Sequence, residues 1–158
     1  MARRVFFSFY YEDDAWRAHQ VKNAWVTQER EAAGYFNASL EEEAKTKGEA
    51  TIKKMIDEAL KGVAVTAVLI GANTASRKFV LYELERSYSE GKGILGIRMH
   101  NVKDQYGRTS QPGENPLGSV SGASKPLSLI FNTYDWARDD GRANIGVWVE
   151  DAARRAGR

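Results

Sequence analysis

Glu83 stands four residues after Phe79, and positions i and i+4 share one face of a helix. A carboxylate, able to act as an anion or a hydrogen-bond acceptor, and an apolar ring would then be presented together. Position alone leaves Glu83 equally readable as a solvated helix residue like Glu85 and Glu90. Other chemistries are easier to exclude. The chain has no cysteine, which removes thiol catalysis, disulfides and thiolate metal sites. His19 and His100 are far apart, in no E-x-x-H or H-x-x-x-H context, so no metal site is expected. Neither G-x-G-x-x-G nor G-x-x-x-x-G-K-[ST] occurs, so no glycine cradle for a dinucleotide or triphosphate is present. A phosphoacceptor receiver would end its central strand on an acidic residue, where this chain has Gly71-Ala72-Asn73.

The elements that must hold Glu83 follow from hydrophobic patterning. Arg4 to Phe9 reads as a short strand, and Asp13 and Asp14 can cap a helix carrying Ala18, Val21 and Trp25 on one face. Tyr35-Phe36 reads as a short second strand and Asn37 to Ala50 as a charged loop. Ile52, Met55, Ile56, Ala59 and Leu60 follow the spacing of an amphipathic helix that Gly62 can close. Val63 to Ile70 is almost continuously apolar, as a central parallel strand covered on both faces should be.

Past Gly71, a helix from about Arg77 turns Val80, Leu84 and Tyr88 inward. Ile94 to Met99 and Leu127 to Tyr134 read as further strands, separated by a stretch from Asn101 to Lys125 without a period. Connections beyond about 12–15 residues are usually functional or mobile. Ile145, Trp148, Val149 and Ala152 mark a last helix. Strands alternating with helices predict a flavodoxin-like, doubly wound parallel sheet of about five strands, helices on both faces, in an α/β fold. Its binding crevice lies beyond the carboxyl ends of the strands. Ser8 to Asp13, Asn37 to Gly48, Gly71 to Phe79 and the loop after Met99 share that rim, and Glu83 would be a partly solvated carboxylate beside it.

With 158 residues and 42% hydrophobic content, the chain suits a single domain over residues 1–158. Lys+Arg 23 against Asp+Glu 21 gives a charge of +2. The basic residues are scattered rather than striped, so nucleic acid is not an expected partner. Glu12-Asp13-Asp14 cut short the apolar run after Met1, which predicts no signal peptide, no membrane span and a cytoplasmic protein.

Ser76-Arg77-Lys78-Phe79-Val80-Leu81-Tyr82-Glu83-Leu84 resembles the TIR-domain box, in which a Ser, an aromatic three residues on and a Glu-Leu four further follow a buried strand. Val5-Phe6-Phe7-Ser8-Phe9-Tyr10-Tyr11-Glu12-Asp13-Asp14 resembles the first TIR box of strand, Ser-Tyr and acidic helix start. The similarity runs over about residues 3 to 99. Within TIR-like domains it is greatest to the bacterial group that includes the TIR protein of Thoeris antiphage defence. The chain departs from the usual pattern at Phe79, where Trp is common, at Val80, where Cys is common, at Tyr10-Tyr11, where many members are basic, and at Asn37, where Asp is frequent.

The resemblance implies an enzyme of the NAD glycohydrolase or ADP-ribosyl cyclase type, with NAD as substrate, no cofactor, and Glu83 as the catalytic carboxylate. Nicotinamide leaves as a neutral ring, so the need is for an anion beside the oxocarbenium-like ribose. Water capture then gives ADP-ribose, and capture by a hydroxyl of the same molecule gives a cyclic signal for a separate effector protein. Phe9, Tyr10 and Phe79 become candidates for stacking, and Ser8 and Asn37 for polar contacts with substrate. Phe6 and Phe7 are assigned to the core. Homo-oligomerisation is a further implication of the family. Two other readings fit the same residues: a non-catalytic TIR-like interaction module, and a nucleoside deoxyribosyltransferase-like enzyme.

Overall fold

Val5–Ser8 forms β1 and Tyr11–Val26 forms α1, followed by β2 (Ala32–Gly34). Two helices come next, α2 (Leu40–Lys47) and α3 (Glu49–Ala59), and then β3 (Val65–Ile70). After a 3-10 turn at Thr74–Ser76 the chain forms α4 (Lys78–Ser89) and β4 (Gly93–Arg98). A minimal ladder of β5 (Ser121–Gly122) and β6 (Lys125–Pro126) precedes β7 (Thr133–Asp135) and α5 (Gly141–Arg155). The computed structural model describes residues 3–26, 32–34, 39–122 and 124–158.

Five strands make one parallel sheet in the order β2-β1-β3-β4-β7, the flavodoxin-like order expected from the alternation of strands and helices. β3 lies at its centre with all six residues buried, as its unbroken apolar composition requires. Side chains alternate across the sheet. Val65, Ala67 and Leu69 face α1 and α5 together with Val5 and Phe7. Val68 and Ile70 face the other way, against Val80 and Leu84 of α4. Phe6 packs on that second side with Ile52, Ile56 and Phe79. Ser8, in step with Phe6 along β1, is therefore directed toward α4.

Two expectations from the sequence need correction. Residues expected to form a charged loop contain α2, because Ser39 caps it: the Ser39 hydroxyl accepts a hydrogen bond from the Glu42 amide at 3.1 Å. Glu41, Glu42 and Glu43 occupy the first turn and Lys45 and Lys47 the last, each sign at the helix end whose dipole favours it. The segment expected to be the last strand, Leu127 to Tyr134, begins with a 3-10 turn, Leu127–Leu129, and only Thr133–Asp135 pairs with β4. Its apolar Leu127 and Phe131 are buried under α4 without joining the sheet. The second strand lies at Ala32–Gly34; Tyr35 and Phe36, where it was expected, fall outside the described residues.

The long connection after β4 is irregular but tied down. Arg17 of α1, itself buried, donates through Nε to the Val102 carbonyl at 2.6 Å and through Nη2 to that of Arg108 at 2.8 Å. Asp14 lies 3.6 Å from the same guanidinium and is packed beneath Gly71, where any Cβ would collide with its carboxyl group.

Candidate active site

α4 buries Phe79, Val80, Glu83, Leu84 and Ser87, a stripe with helical spacing. Glu83 belongs to that stripe and is 3% exposed, so the expected partly solvated carboxylate is in fact enclosed. Ser8 Oγ, on the face of β1 turned toward α4, donates to Glu83 Oε1 at 2.6 Å. The helix is pinned to the sheet one turn further on as well: Ser87 Oγ donates to the Glu83 carbonyl at 2.7 Å and is 2.7 Å from Thr66 Oγ1 of β3. The carboxyl group is thus held beside the paired strands β1 and β3, the point at which the strand order reverses and where ligands of this sheet order bind.

Burial pushes the Glu83 carboxyl up to about 8, reinforced by the negative charge of Glu41 and opposed by the hydrogen bond from Ser8. At neutral pH the group is mostly protonated and uncharged. A cation entering beside it would favour its ionised form.

The crevice at Glu83 is small, about 20 Å³, room for roughly one water molecule. Leu40 and Glu41 at the start of α2 wall it, opposite Phe79, Val80 and Phe9. Drug-sized ligand pockets run to about 300–1,000 Å³, so the crevice as it stands is too small for a nucleotide, and Leu40 and Glu41 of α2 are among the residues that close it.

The structure gathers Ser8, Phe9, Phe79 and Glu83 around one crevice. Phe79 is 2% exposed and packed with Leu40 and the α3 side chains, so its ring reaches a ligand only when the α2–α3 layer parts. Tyr10 is absent from the crevice wall and lies instead beneath Arg77, whose guanidinium is 4.1 Å from the ring centre. Tyr11, one residue on, lines the wall in its place because α1 begins there and turns the chain. Asn37 lies outside the described residues.

Leu40, Glu41 and Tyr11 lie in the segments expected on the rim but were not named individually as site residues. A signal for the first two was present: Ser39-Leu40-Glu41-Glu42 is the S-x-x-E pattern that opens a helix. Among the described residues no helix is long and apolar enough to cross a membrane, and no three of His, Asp and Glu are placed to hold a metal ion.

Comparison with known proteins adds to this geometry. The family model described as Thoeris protein ThsB, TIR-like domain, matches residues 6–104. A Bacillus cereus (strain MSX-D12) protein named "Putative cyclic ADP-D-ribose synthase ThsB1" is 35% identical over 191 aligned positions. That alignment takes in 94% of this chain and 100% of the relative.

Proposed function

Because the chain belongs to the Thoeris ThsB TIR-like family, we propose that it cleaves NAD at the nicotinamide–ribose bond and closes the ADP-ribosyl group into a cyclic signal. The observation that carries this reading is the enclosed Glu83 carboxyl, hydrogen-bonded by Ser8 at the point where the strand order reverses and ligands bind. A buried carboxyl with a raised pKa in a cleft marks a functional site better than a structural one, because it costs stability to keep.

The reaction uses Glu83 twice. The cationic nicotinamide ring, on entering, draws the carboxyl into its ionised form, and the proton leaves to solvent. As the glycosidic C–N bond breaks, its electron pair neutralises the ring, and positive charge passes to the ribose facing the Glu83 carboxylate. A hydroxyl of the same ADP-ribosyl group then bonds to the anomeric carbon and gives up its proton. A carboxylate with affinity near pH 8 is well matched to accept it. Water arriving instead of the internal hydroxyl gives ADP-ribose.

Access is controlled by α2, whose Leu40 and Glu41 close the crevice. The closed arrangement has low activity, and a trigger that displaces α2 raises it. The cyclic product diffuses to a separate effector, and the enzyme works in the cytoplasm, with assembly into homo-oligomers one way of moving α2. Incubating the purified chain with NAD, with and without extract from phage-infected cells, and measuring nicotinamide and cyclic ADP-ribose isomers by mass spectrometry tests the reading. Nicotinamide accompanied by a cyclic isomer is the expected result. Absence of both under activating conditions would favour the interaction-module alternative.

A further inference from the structure

A second cavity, of about 850 Å³, opens on the same rim of the sheet but beyond β4 and β7, away from Glu83. Its volume falls in the range of small-molecule sites. Arg98 ends β4, Asp135 ends β7, and Arg138, Asp139 and Asn115 complete the polar wall. The charges cancel formally but not in what they offer a ligand. Asp135 Oδ1 accepts from the amides of Ala137 and Arg138, both at 3.0 Å, and its Oδ2 accepts from Asn101 at 3.0 Å. Asp139 Oδ2 accepts from the Asp135 amide at 2.7 Å. Both carboxylates are therefore engaged in shaping the turn after β7.

The guanidinium groups are not so engaged. Arg98 uses Nη1 to hold the Gly113 carbonyl at 2.7 Å, which fixes the side chain and leaves its other donors unpaired among the described residues. Arg138 is exposed, and its guanidinium has no partner among the described residues. His100, also on the wall, has a buried Nδ1 without a hydrogen-bond partner there, and buried polar atoms of this kind are normally satisfied. The cavity thus presents two planar guanidinium forks, that of Arg98 pre-positioned by the one donor it gives to Gly113, beside carboxylates that each accept from backbone amides of the turn after β7. That is the chemistry that recognises phosphate oxygens in pairs.

We propose that this cavity is a second ligand site for a phosphorylated small molecule of about nucleotide size, gripped by Arg98 and Arg138 and separate from the Glu83 crevice. It sits under the long connection that follows β4, which supplies Gly113 and Asn115 to the wall. Occupancy would brace that connection through Arg98, which already holds Gly113.

The test is calorimetric titration of ADP and of inorganic pyrophosphate into the full chain, with amide shifts mapped by NMR. Binding should perturb Asn115, Thr133 and Asp135 and should weaken about tenfold or more in Arg138→Glu, the loss expected for a charge-assisted pair. Arg98→Gln should weaken it as well; because that change also frees Gly113, the exposed Arg138 is the deciding variant. Arg142→Glu, an exposed arginine outside the cavity, is the control. The proposal falls if neither probe binds, if the shifts centre on Ser8 to Tyr11, or if Arg142→Glu weakens binding as much as Arg138→Glu.

Discussion

Ser8 Oγ and Glu83 Oε1 meet at 2.6 Å across 75 residues of sequence, joining the end of β1 to the middle of α4. The bond favours the ionised carboxyl, against the burial that disfavours it. Ser8→Ala is therefore expected to move Glu83 to still higher pKa. If activity needs the carboxylate, the rising limb of the pH profile of kcat/KM shifts to higher pH, and the rate at pH 7 falls by about tenfold for each pKa unit. A uniform loss at every pH, with the limb unmoved, would show that Ser8 acts only on substrate.

The same carboxyl group predicts how stability responds to pH. Glu83 titrates near 8 in the folded chain against 4.5 ordinarily, and Asp14 near 6 against 3.8, each raised first of all by burial. Between these values the folded state binds more protons than the unfolded one, so both contributions weaken as pH rises through the folded pKa. Glu83→Gln removes the larger span. In urea titrations the variant should gain on the parent protein steadily from pH 5 to pH 8.5. A stability difference independent of pH would mean that Glu83 is not displaced from its ordinary range.

α2 is the wall most easily loosened. Ser39→Ala deletes the cap that the Glu42 amide uses and should cost about 0.5–2 kcal/mol. Amide exchange across residues 40–47 is expected to accelerate, and basal NAD cleavage to rise several-fold without any activator. Faster exchange with unchanged activity would acquit α2 as the gate.

The sheet was legible because β3 and α4 carry patterns that one fold alone satisfies: six buried residues in a row, and an apolar stripe every three or four. Glu83 stood out only through the likeness of Ser76 to Leu84 to a TIR box. Its burial was missed, although it lies three residues after Val80 and one before Leu84, inside the apolar stripe. A carboxylate at a core position of a helix reads as solvated until its partner, Ser8, is known. The surroundings were hidden too. Leu40 and Glu41 belong to a helix in which five of eight side chains are charged, and such a segment reads as a loop unless its capping residue is weighed. Tyr10 and Tyr11 differ by one position, about 100° of helix, and where α1 starts decides which of them faces the crevice. Within Leu127 to Tyr134 only Leu127 and Phe131 are buried, while Leu129 is exposed, and an apolar run anchored by two buried side chains without pairing leaves the same mark in sequence as a strand.

The strongest prediction contrasts Glu83→Gln with Glu85→Gln. Both remove one carboxylate from α4, but Glu83 is enclosed beside Ser8 and Glu85 is exposed two positions on, on another side of the helix. Glutamine keeps the shape of Glu83, can still accept from Ser8, and introduces no charge into a site that is mostly neutral at pH 7. The fold should therefore survive, for a different reason than solvation would have supplied. Activity should not survive, since glutamine can neither face the oxocarbenium-like ribose as an anion nor accept the proton of the closing hydroxyl. Losing one well-placed electrostatic stabiliser costs on the order of 10²–10³ in rate, and losing the base adds to it. Nicotinamide release by an activated preparation should drop by at least that factor in Glu83→Gln and stay within about twofold in Glu85→Gln, with thermal unfolding at pH 7 raised in the former, since pH 7 lies between the ordinary and the folded pKa of Glu83. Equal losses in the two variants, or retained turnover in Glu83→Gln, would take the catalytic role away from Glu83.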